Sequence, residues 1–386
     1  MKIRRVEVTG LLGRNQTLSV DLHDDLNIIT GRNGAGKTTF LKLCWYLVSG
    51  SINQALSEID FERLRIVTDR YAVVINKIND STCTGEIINE VYGKRFFQDE
   101  FIDDEGLMIS DARDLLSEAL TSEGSSMFFP TFRRIEGGYT MRGSKTRSQH
   151  SSTRQSRELE DAMGSLADRL SSPGHSFISS ISTIDIEALL LKTYADLSEQ
   201  YNTLQREVSK DIIEEIRGFQ EEDIGRVYNT GAKSMQNARG VINNVRNRIE
   251  VMEDQHISIM APMTAVQSTV SKLFRHAGIK FGARLSFGEA ASAVLSESLS
   301  AGEKQMLSFI CYNAFTRDSV TFIDEPELSL HVDWQRSLFP TLMSQNSSNQ
   351  FIIATHSPFI YSKYPDREVC IDEEYNRGDA EGASIW

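Results

Sequence analysis

This sequence of 386 residues has little cysteine, little proline and no long apolar run. Its four cysteines are widely spaced and form no Cys-x-x-Cys pair, which argues against a disulfide framework and against a zinc site. No apolar run approaches the roughly 20 residues of a membrane-spanning helix, and the N-terminus lacks the apolar core of a signal peptide. We therefore expect a cytoplasmic protein that has no membrane partner.

Positive charge is scarce as well. Lysine and arginine together number 41, against 54 aspartates and glutamates, so the formal net charge is −13. Bulk charge therefore gives no support for DNA binding, which would need a local basic patch. Residues 142–157 are basic, rich in serine and without a hydrophobic period, as is typical of a loop. Two interpretations stay open for them, a solvated linker or a contact with nucleic acid or an acidic partner.

A glycine-rich loop stands between a predicted strand and a predicted helix. Residues 31–38 read Gly-Arg-Asn-Gly-Ala-Gly-Lys-Thr and fit the phosphate-loop pattern Gly-x-x-x-x-Gly-Lys-[Ser/Thr]. The backbone N–H groups of such a loop and the helix N-terminus stabilise phosphate charge. Lys37 should reach the β- and γ-phosphates, and Thr38 should bind Mg²⁺. The residues expected to contact a nucleotide here are Gly31, Asn33, Gly34, Ala35, Gly36, Lys37, Thr38 and Thr39.

Two acidic residues, Asp324 and Glu325, follow an apolar stretch that predicts a buried strand at residues 319–323. A carboxylate at the end of such a strand is a suitable ligand for Mg²⁺, and a second one can orient an attacking water. We predict that Asp324 holds the metal ion through a water and that Glu325 is the base. The alternative is a pair of surface acids at a strand end.

Residues 299–305 read Leu-Ser-Ala-Gly-Glu-Lys-Gln and place a Ser-x-Gly turn at the start of a predicted helix, Gly302 to about Phe315. Such a turn offers backbone N–H groups and a hydroxyl to a γ-phosphate. We therefore expect Ser300, Gly302 and Glu303 to contact nucleotide.

A histidine ends another apolar strand, because residues 351–356 read Phe-Ile-Ile-Ala-Thr-His. A lone histidine is more often structural, but its place after a strand downstream of the Asp-Glu pair favours a functional role. A neutral imidazole there can donate to a γ-phosphate and sense its loss. The predicted catalytic residues are thus Lys37, Glu325 and His356, and the predicted metal-binding residues are Thr38 and Asp324.

Apolar patterns predict the remaining strands and helices. The strands are expected at residues 3–8, 16–22, 26–30, 71–78, 84–92, 128–134, 283–289, 319–323, 350–354 and 368–372. Short helices are expected from Thr38 to about Val48 and at residues 333–343.

Residues from about 184 to 275 have helical patterns instead. The apolar residues of the first stretch recur in steps of three and four, the spacing of a coiled-coil seam, at Leu190, Tyr194, Leu197, Tyr201, Leu204 and Val208. A second pattern, from Thr230 to about Arg275, is expected to break at Pro262, and Asn229-Thr-Gly231 is a candidate turn between the two. An antiparallel hairpin and a helical subdomain packed on the core both fit. The predicted segments are 1–150, N-terminal half of the nucleotide-binding domain; 151–279, helical insertion; and 280–386, C-terminal half.

These motifs, in this order around a helical insertion, resemble the ABC-type head domains of the SMC-like ATPases. The resemblance implies an α/β fold, a P-loop ATPase head of the ABC type that is split in sequence by a helical or short coiled-coil insertion. It also implies ATP and Mg²⁺ as cofactors and hydrolysis of ATP to ADP and phosphate. The expected partner is a second copy, in an ATP-sandwich dimer where the Lys37 loop of one copy faces Ser300 and Gly302 of the other.

Residues 325–331, Glu-Pro-Glu-Leu-Ser-Leu-His, look closest to the overcoming-lysogenization-defect (OLD)-like phage-defence branch of these ATPases, which includes PARIS- and Septu-type subunits. ABC transporters usually have an aspartate where His331 stands. Residues 129–134, Phe-Pro-Thr-Phe-Arg-Arg, resemble a Pro-x-x-Arg element of that branch, which implies a nucleotide-proximal role for Arg133 or Arg134. There is no Cys-x-x-Cys zinc hook and no His-Asn-His cluster, and the residues after His356 are too few for a Toprim nuclease domain.

The resemblance therefore implies a regulatory ATPase of a bacterial anti-phage system that controls a separate effector, a nuclease or a toxin. The alternative is a RecF-like DNA repair ATPase. It would need a basic face, for which residues 142–157 and the arginine-rich residues 239–248 are the candidates. A transporter subunit is a weaker third class, because the helical insertion and the Leu-His sequence do not suit it.

Overall fold

The computed structural model describes residues 1–91, 93–102, 107–131, 164–179, 183–224, 231–273 and 300–372. The chain divides into two compact units, Met1–Glu187 with Val294–Trp386, and Ala188–Ala293. The segment boundaries predicted above stay a prediction. Five features named above lie outside the described residues: the basic residues 142–157, Arg133 and Arg134, the strand expected at 283–289, the turn at 229–230, and Leu299.

The first hundred residues contain all six strands of an antiparallel sheet. Its strands are β1 Ile3–Thr9, β2 Thr17–Asp21, β4 Arg63–Thr68, β5 Tyr71–Asn79, β6 Thr82–Asn89 and β7 Gly93–Phe97, in the order β2-β1-β4-β5-β6-β7. Alternate residues of β1, such as Val6 and Val8, are fully buried, as expected for a sheet with one face on a core. A separate hairpin pairs β8 Glu100–Ile102 with β9 Leu107–Ser110.

The second sheet is parallel throughout and carries the predicted motifs. Its strands are β3 Leu26–Thr30, β10 Ser126–Phe129, β11 His175–Phe177, β12 Val320–Asp324, β13 Gln350–Ala354 and β14 Glu368–Cys370, in the order β11-β10-β12-β13-β3-β14. Every residue of β3, β12 and β13 is buried, as is typical of parallel sheets. Because the strands are parallel, the segments that follow β3, β10, β12 and β13 meet at one edge.

Several strand expectations need correction. The strand expected at residues 128–134 runs instead from Ser126 to Phe129, and the strand expected at residues 84–92 ends at Asn89. The strand predicted at residues 368–372 ends at Cys370, because residues 371 and 372 are helical. No strand was predicted at β4, β7, β8, β9 or β11. Strand β11 pairs with β10 although it lies in the stretch assigned to the insertion. With only three residues, His-Ser-Phe, it has no apolar run or alternation to reveal it.

The helices of the first unit pack around these sheets. They are α1 Lys37–Val48, α2 Ile52–Glu58, α3 Ala112–Thr121, α6 Ala301–Phe315, α7 Val332–Met343 and α8 Pro358–Tyr361, with α4 and α5 given below. From Phe40 to Val48, helix α1 is apolar apart from Lys42, and these apolar residues are all buried in the core. Its Trp45 ring lies 5.3 Å from the Phe128 ring and 5.5 Å from the Phe177 ring, which fixes β10 and β11 against the helix.

Two long helices, α4 Thr183–Ile224 and α5 Gly231–Leu273, account for the described part of the second unit. The Tyr201 and His256 rings are 4.1 Å apart, and Arg248 lies 3.0 Å from Asp211. From the first of these contacts to the second, the residue number increases along α4 and decreases along α5. The two helices therefore run antiparallel, as the hairpin interpretation expected. Among the described residues, no helix is long and apolar enough to cross a membrane.

The break expected at Pro262 is wrong, because α5 continues through it. A proline inside a helix removes one backbone N–H donor and can kink the axis. The hydrogen bonds of the turns on both sides remain. Met263 and Val266, just beyond the proline, are buried, which stabilises the continued helix.

Candidate nucleotide-binding site

The loop between β3 and α1 has the backbone of a phosphate-binding loop. Gly31, Gly34 and Gly36 have φ angles of 147°, 80° and 98°, a region that residues with a Cβ rarely adopt. Nothing lies within 4 Å of the place where a Cβ would stand on Gly34, so the loop has open space there. Helix α1 begins at Lys37 without a side-chain cap, so its first N–H groups can bind an anion.

Lys37 is held over this loop. Its side chain is buried, and its Nζ donates to the carbonyl oxygens of Gly31 (3.0 Å) and Arg32 (3.2 Å). Burial lowers the pKa of the ammonium group, whereas nearby acids, above all Asp372, oppose that change. Phosphate oxygens of a ligand are acceptors of the same kind as these two carbonyl oxygens.

At the end of β12, the buried carboxylate of Asp324 accepts hydrogen bonds from two hydroxyl groups. Asp324 is 1% exposed. Its Oδ1 accepts from Thr38 Oγ1 at 3.0 Å, and its Oδ2 accepts from the hydroxyl of Thr131, just beyond β10. Carboxylate and hydroxyl oxygens are ligands that suit Mg²⁺. The predicted pairing of Thr38 with Asp324 therefore fits a metal site, to which Thr131 adds an oxygen that the sequence analysis missed.

This cluster fits a metal ion that is shared with a nucleotide. Among the residues that the structure describes, no group of three or more His, Cys, Asp or Glu side chains is arranged to hold a metal. Mg²⁺ keeps six oxygen ligands and is commonly bound by one or two protein groups plus phosphates. The open face of the phosphate loop beside the cluster is where phosphate oxygens would complete the set.

Glu325 is set in an unusual backbone conformation beside this cluster. Its φ of 48° is uncommon for a residue other than glycine, and its N–H donates to the Ala354 carbonyl at 2.8 Å, which fixes it to the end of β13. Burial raises the pKa of its carboxyl group; Asp324 and Glu327 add to that effect, and His356 opposes it. A raised pKa suits a group that must accept a proton.

One cleft of about 690 Å³ brings most of the predicted residues together. His356, which follows β13, reaches the same cleft as the phosphate loop and the Asp-Glu pair. Leu12, between β1 and β2, also lines it and was missed; it has a φ of 58° and a partly exposed side chain. The lining consists of Leu12, Asn33, Gly34, Gly36, Lys37, Thr38, Thr39, Asp324, Glu325 and His356.

Gly31 and Ala35 belong to the loop but do not line this cleft. Two side chains outside the motifs hold the loop in place. Arg14 donates to the Gly34 carbonyl at 3.1 Å, and Asp372 accepts from the Arg32 N–H at 2.7 Å. Neither was predicted, because the two contacts join residues 20 and 340 positions apart and leave no local pattern.

Ser300, Gly302 and Glu303 do not line the cleft; they begin helix α6. Ser300 Oγ accepts from the Glu303 N–H at 3.3 Å, and Glu303 Oε2 accepts from the Ser300 N–H at 2.7 Å, which is a capping box. A Cβ on Gly302 would lie 2.5 Å from the Ser329 carbonyl oxygen, so only glycine fits. The nucleotide contacts predicted for these residues stay a prediction.

His331 likewise has a local role. Its Nδ1 accepts from the Asp333 N–H at 3.4 Å and caps helix α7. This contact accounts for a histidine at the start of α7.

The sequence profile of a family described as the AAA ATPase domain matches residues 1–361. Among solved structures, the chain is similar to the Smc head domain of Pyrococcus furiosus (11% identity, 94% of this chain and 91% of that chain, TM-score 0.38). It is also similar to the Smc head domains of Pyrococcus yayanosii (10%, 94%, 93%, 0.37) and Thermotoga maritima (12%, 94%, 92%, 0.36). Because the family profile spans most of the sequence, this chain belongs to the AAA ATPase domain family.

Proposed function

We propose that this chain binds ATP with Mg²⁺ in the cleft, hydrolyses ATP to ADP and phosphate, and uses this cycle to close and open a dimer of two copies. One observation carries the proposal: Lys37, Thr38, Asp324 and Glu325 meet around a single cleft at one edge of the parallel sheet. This is the set of groups that a phosphoryl-transfer site needs, because positioning and charge stabilisation supply most of its catalysis.

Each group has a distinct task in this proposal. Lys37 and the N–H groups of the loop hold the phosphates, and Thr38, Thr131 and Asp324 hold the metal ion. Bound Mg²⁺ would neutralise charge on the phosphate oxygens. Glu325 orients the attacking water and accepts its proton, which the raised pKa of its carboxyl favours. His356 donates to the γ-phosphate and responds to its loss.

A second copy supplies the groups that this chain's own cleft lacks. Ser300 is exposed and begins α6, yet it does not line the cleft of the same chain. Its hydroxyl and the N–H groups at the start of α6 therefore suit a phosphate held by a partner. A γ-phosphate that contacts both copies binds the closed pair better than the separate copies, so it shifts the equilibrium to the dimer.

We further propose that the dimer is the regulatory subunit of a bacterial anti-phage system and controls a separate nuclease or toxin. Support comes from the resemblance of residues 325–331 to the OLD-like phage-defence branch. ATP hydrolysis then resets a switch and makes no product that the cell uses.

The alternative is a RecF-like ATPase that binds DNA directly, and the described residues favour it less. Arg246 pairs with Glu250, and Arg248 pairs with Asp211 and Glu215, so acids offset this basic stretch. A gel shift with the purified protein separates the two functions. Affinity that falls steeply as salt rises would support the DNA-binding alternative, and no shift at low salt would exclude it.

Size-exclusion chromatography with light scattering, with and without ATP and Mg²⁺, tests the switch. Lys37→Ala should bind no nucleotide and stay in its ATP-free form. Glu325→Gln should bind ATP and accumulate as a dimer, because hydrolysis is slow. Lys363→Ala is the matched control, since Lys363 Nζ also donates to a backbone carbonyl, that of Arg336, outside the cleft. A Glu325→Gln protein that hydrolyses ATP at the normal rate would remove Glu325 from its role as base.

A further inference from the structure

Glu327 joins the segment after β12 to the segment after β13. Its Oε2 accepts from Thr355 Oγ1 at 2.8 Å, and its Oε1 accepts from the backbone N–H of His356 at 2.8 Å. Both oxygens of one carboxylate are therefore used on two successive residues. The second of these residues is the histidine that lines the cleft.

The segment that carries Glu327 is itself fixed to helix α6. Gln305, a buried residue of α6, donates through Nε2 to the Pro326 carbonyl at 3.0 Å. The Ser329 carbonyl lies directly against Gly302, where no Cβ would fit. The first two turns of α6 therefore contact the residues on both sides of Glu327.

Gln335 of α7 closes the network on its other side. Its Nε2 donates to the Leu330 carbonyl at 2.8 Å, and its Oε1 accepts from Ser357 Oγ at 2.6 Å. The N–H of Ser357 donates to Thr355 Oγ1 at 3.0 Å. Thr355 is buried and so depends on these partners.

We propose that Glu327 is a positioning residue that holds His356 in the cleft and connects its backbone to the start of helix α6. The inference rests on the proposed function, because it gives α6 and His356 contacts with phosphate. In the proposed dimer, the start of α6 contacts a phosphate in the partner's cleft, whereas His356 contacts the phosphate in the chain's own cleft. A displacement of α6 would therefore reach His356 through Glu327.

Three variants separate positioning from charge. Glu327→Gln keeps the shape but removes the charge and replaces one of the two acceptor oxygens with an NH₂ group. Glu327→Asp keeps the charge but is one methylene too short to reach both. Thr355→Val keeps the charge and the volume but removes the hydroxyl, which donates to Glu327 and accepts from the Ser357 N–H. Each should lower kcat about tenfold, because a small displacement of a catalytic group is costly, and each should leave the ATP dissociation constant within about twofold.

Two further measurements test the hydrogen bonds of Glu327 with Thr355 and His356. Glu327→Gln combined with Thr355→Val should lower kcat by less than the product of the two single losses, because both changes alter the hydrogen bond between Glu327 and Thr355. Hydrogen exchange at the His356 amide should be faster in Glu327→Gln and Glu327→Asp without nucleotide. Glu58→Gln is the control, since Glu58 also accepts from a hydroxyl, that of Tyr46 at 2.7 Å, and lies outside the cleft lining.

The outcomes are distinct. Normal kcat in Glu327→Asp would mean that only the charge matters and would overturn the proposal. So would additive losses in the double variant, or weaker ATP binding in proportion to the loss of kcat. If the Glu327 variants fail to fold, Thr355→Val alone decides by the same split of kcat from affinity. A wild-type protein that binds no ATP would instead defeat the proposed function, and this inference with it.

Discussion

The cleft edge of the parallel sheet and the α4–α5 helix pair hold their charged side chains in different ways. In the cleft, Asp324 is 1% exposed and Lys37 is 6% exposed, and each is hydrogen-bonded within the protein. Between the helices, the side chains of Arg248 and Asp211 are 43% and 59% exposed. Acidic and basic side chains are therefore buried and hydrogen-bonded in one region, and largely solvated in the other.

This difference in burial determines how much free energy each interaction contributes. A buried polar group that loses its partner costs its full desolvation, about 1–3 kcal/mol and more when it is charged. An exposed ion pair contributes about 0–1 kcal/mol, since water solvates both partners almost as well. Changes at the cleft edge should therefore alter function strongly, whereas equivalent changes on the helix pair should alter little.

The largest effect is expected from Asp324→Asn. An amide has one acceptor oxygen for two hydroxyl donors and no charge to attract Mg²⁺, so ATP hydrolysis should fall about 10³-fold. The measurement is the ATPase rate against Mg²⁺ concentration. Asp211→Asn, the same change on α4, is the control and should keep the wild-type rate. Equal rates in the two variants would break the contrast between the regions.

Gly302→Ala should lower the free energy of unfolding by about 1–3 kcal/mol, because its Cβ would lie 2.5 Å from the Ser329 carbonyl oxygen. Gly240→Ala makes the same change inside α5, where nothing lies within 4 Å of the new Cβ. It should stabilise the protein by about 0.5–1 kcal/mol, since alanine favours helix. Urea unfolding measures both, and two changes of the same sign would contradict the structure.

Thr131→Val tests a smaller effect within the cleft. It removes one of the two hydroxyls on Asp324 and keeps the volume. The affinity for Mg²⁺ in the presence of ATP should fall about tenfold, because one hydroxyl oxygen of the proposed metal site is lost. Binding of Mn²⁺, followed by electron paramagnetic resonance, gives a readout apart from activity. Thr131→Ser keeps a hydroxyl and should restore the affinity; a Thr131→Val protein with normal affinity would place Thr131 outside the metal site.

The candidate site residues that lie in short sequence motifs could be predicted from the sequence. The phosphate loop, the Asp-Glu pair and Thr-His each follow an apolar strand, so strand and site are read from one short stretch. A parallel α/β arrangement follows from those strands, because their carboxyl ends must share an edge. The structure confirms the α/β class and the helical insertion.

The rest depends on contacts between distant residues. Thr131 and Asp324 lie 193 positions apart, and the contacts of Glu327 with Thr355 and His356 span 28 and 29 positions without a repeated pattern. The sequence around Thr131 or Glu327 therefore does not predict which distant residues they contact. At Pro262 the error was of another kind, since a local rule for proline was outweighed by the turns of helix on either side.

The smallest effect is expected on the helix pair. Arg248→Met keeps the aliphatic stem but removes the ion pairs with Asp211 and Glu215. At low ionic strength, the free energy of unfolding should fall by about 0.5 kcal/mol, and the loss should vanish near 1 M salt, where exposed charges are screened. Urea unfolding at two salt concentrations measures it. A loss of several kcal/mol that persists in high salt would mean that Arg248 is buried as deeply as the cleft residues, and the contrast between the two regions would not hold.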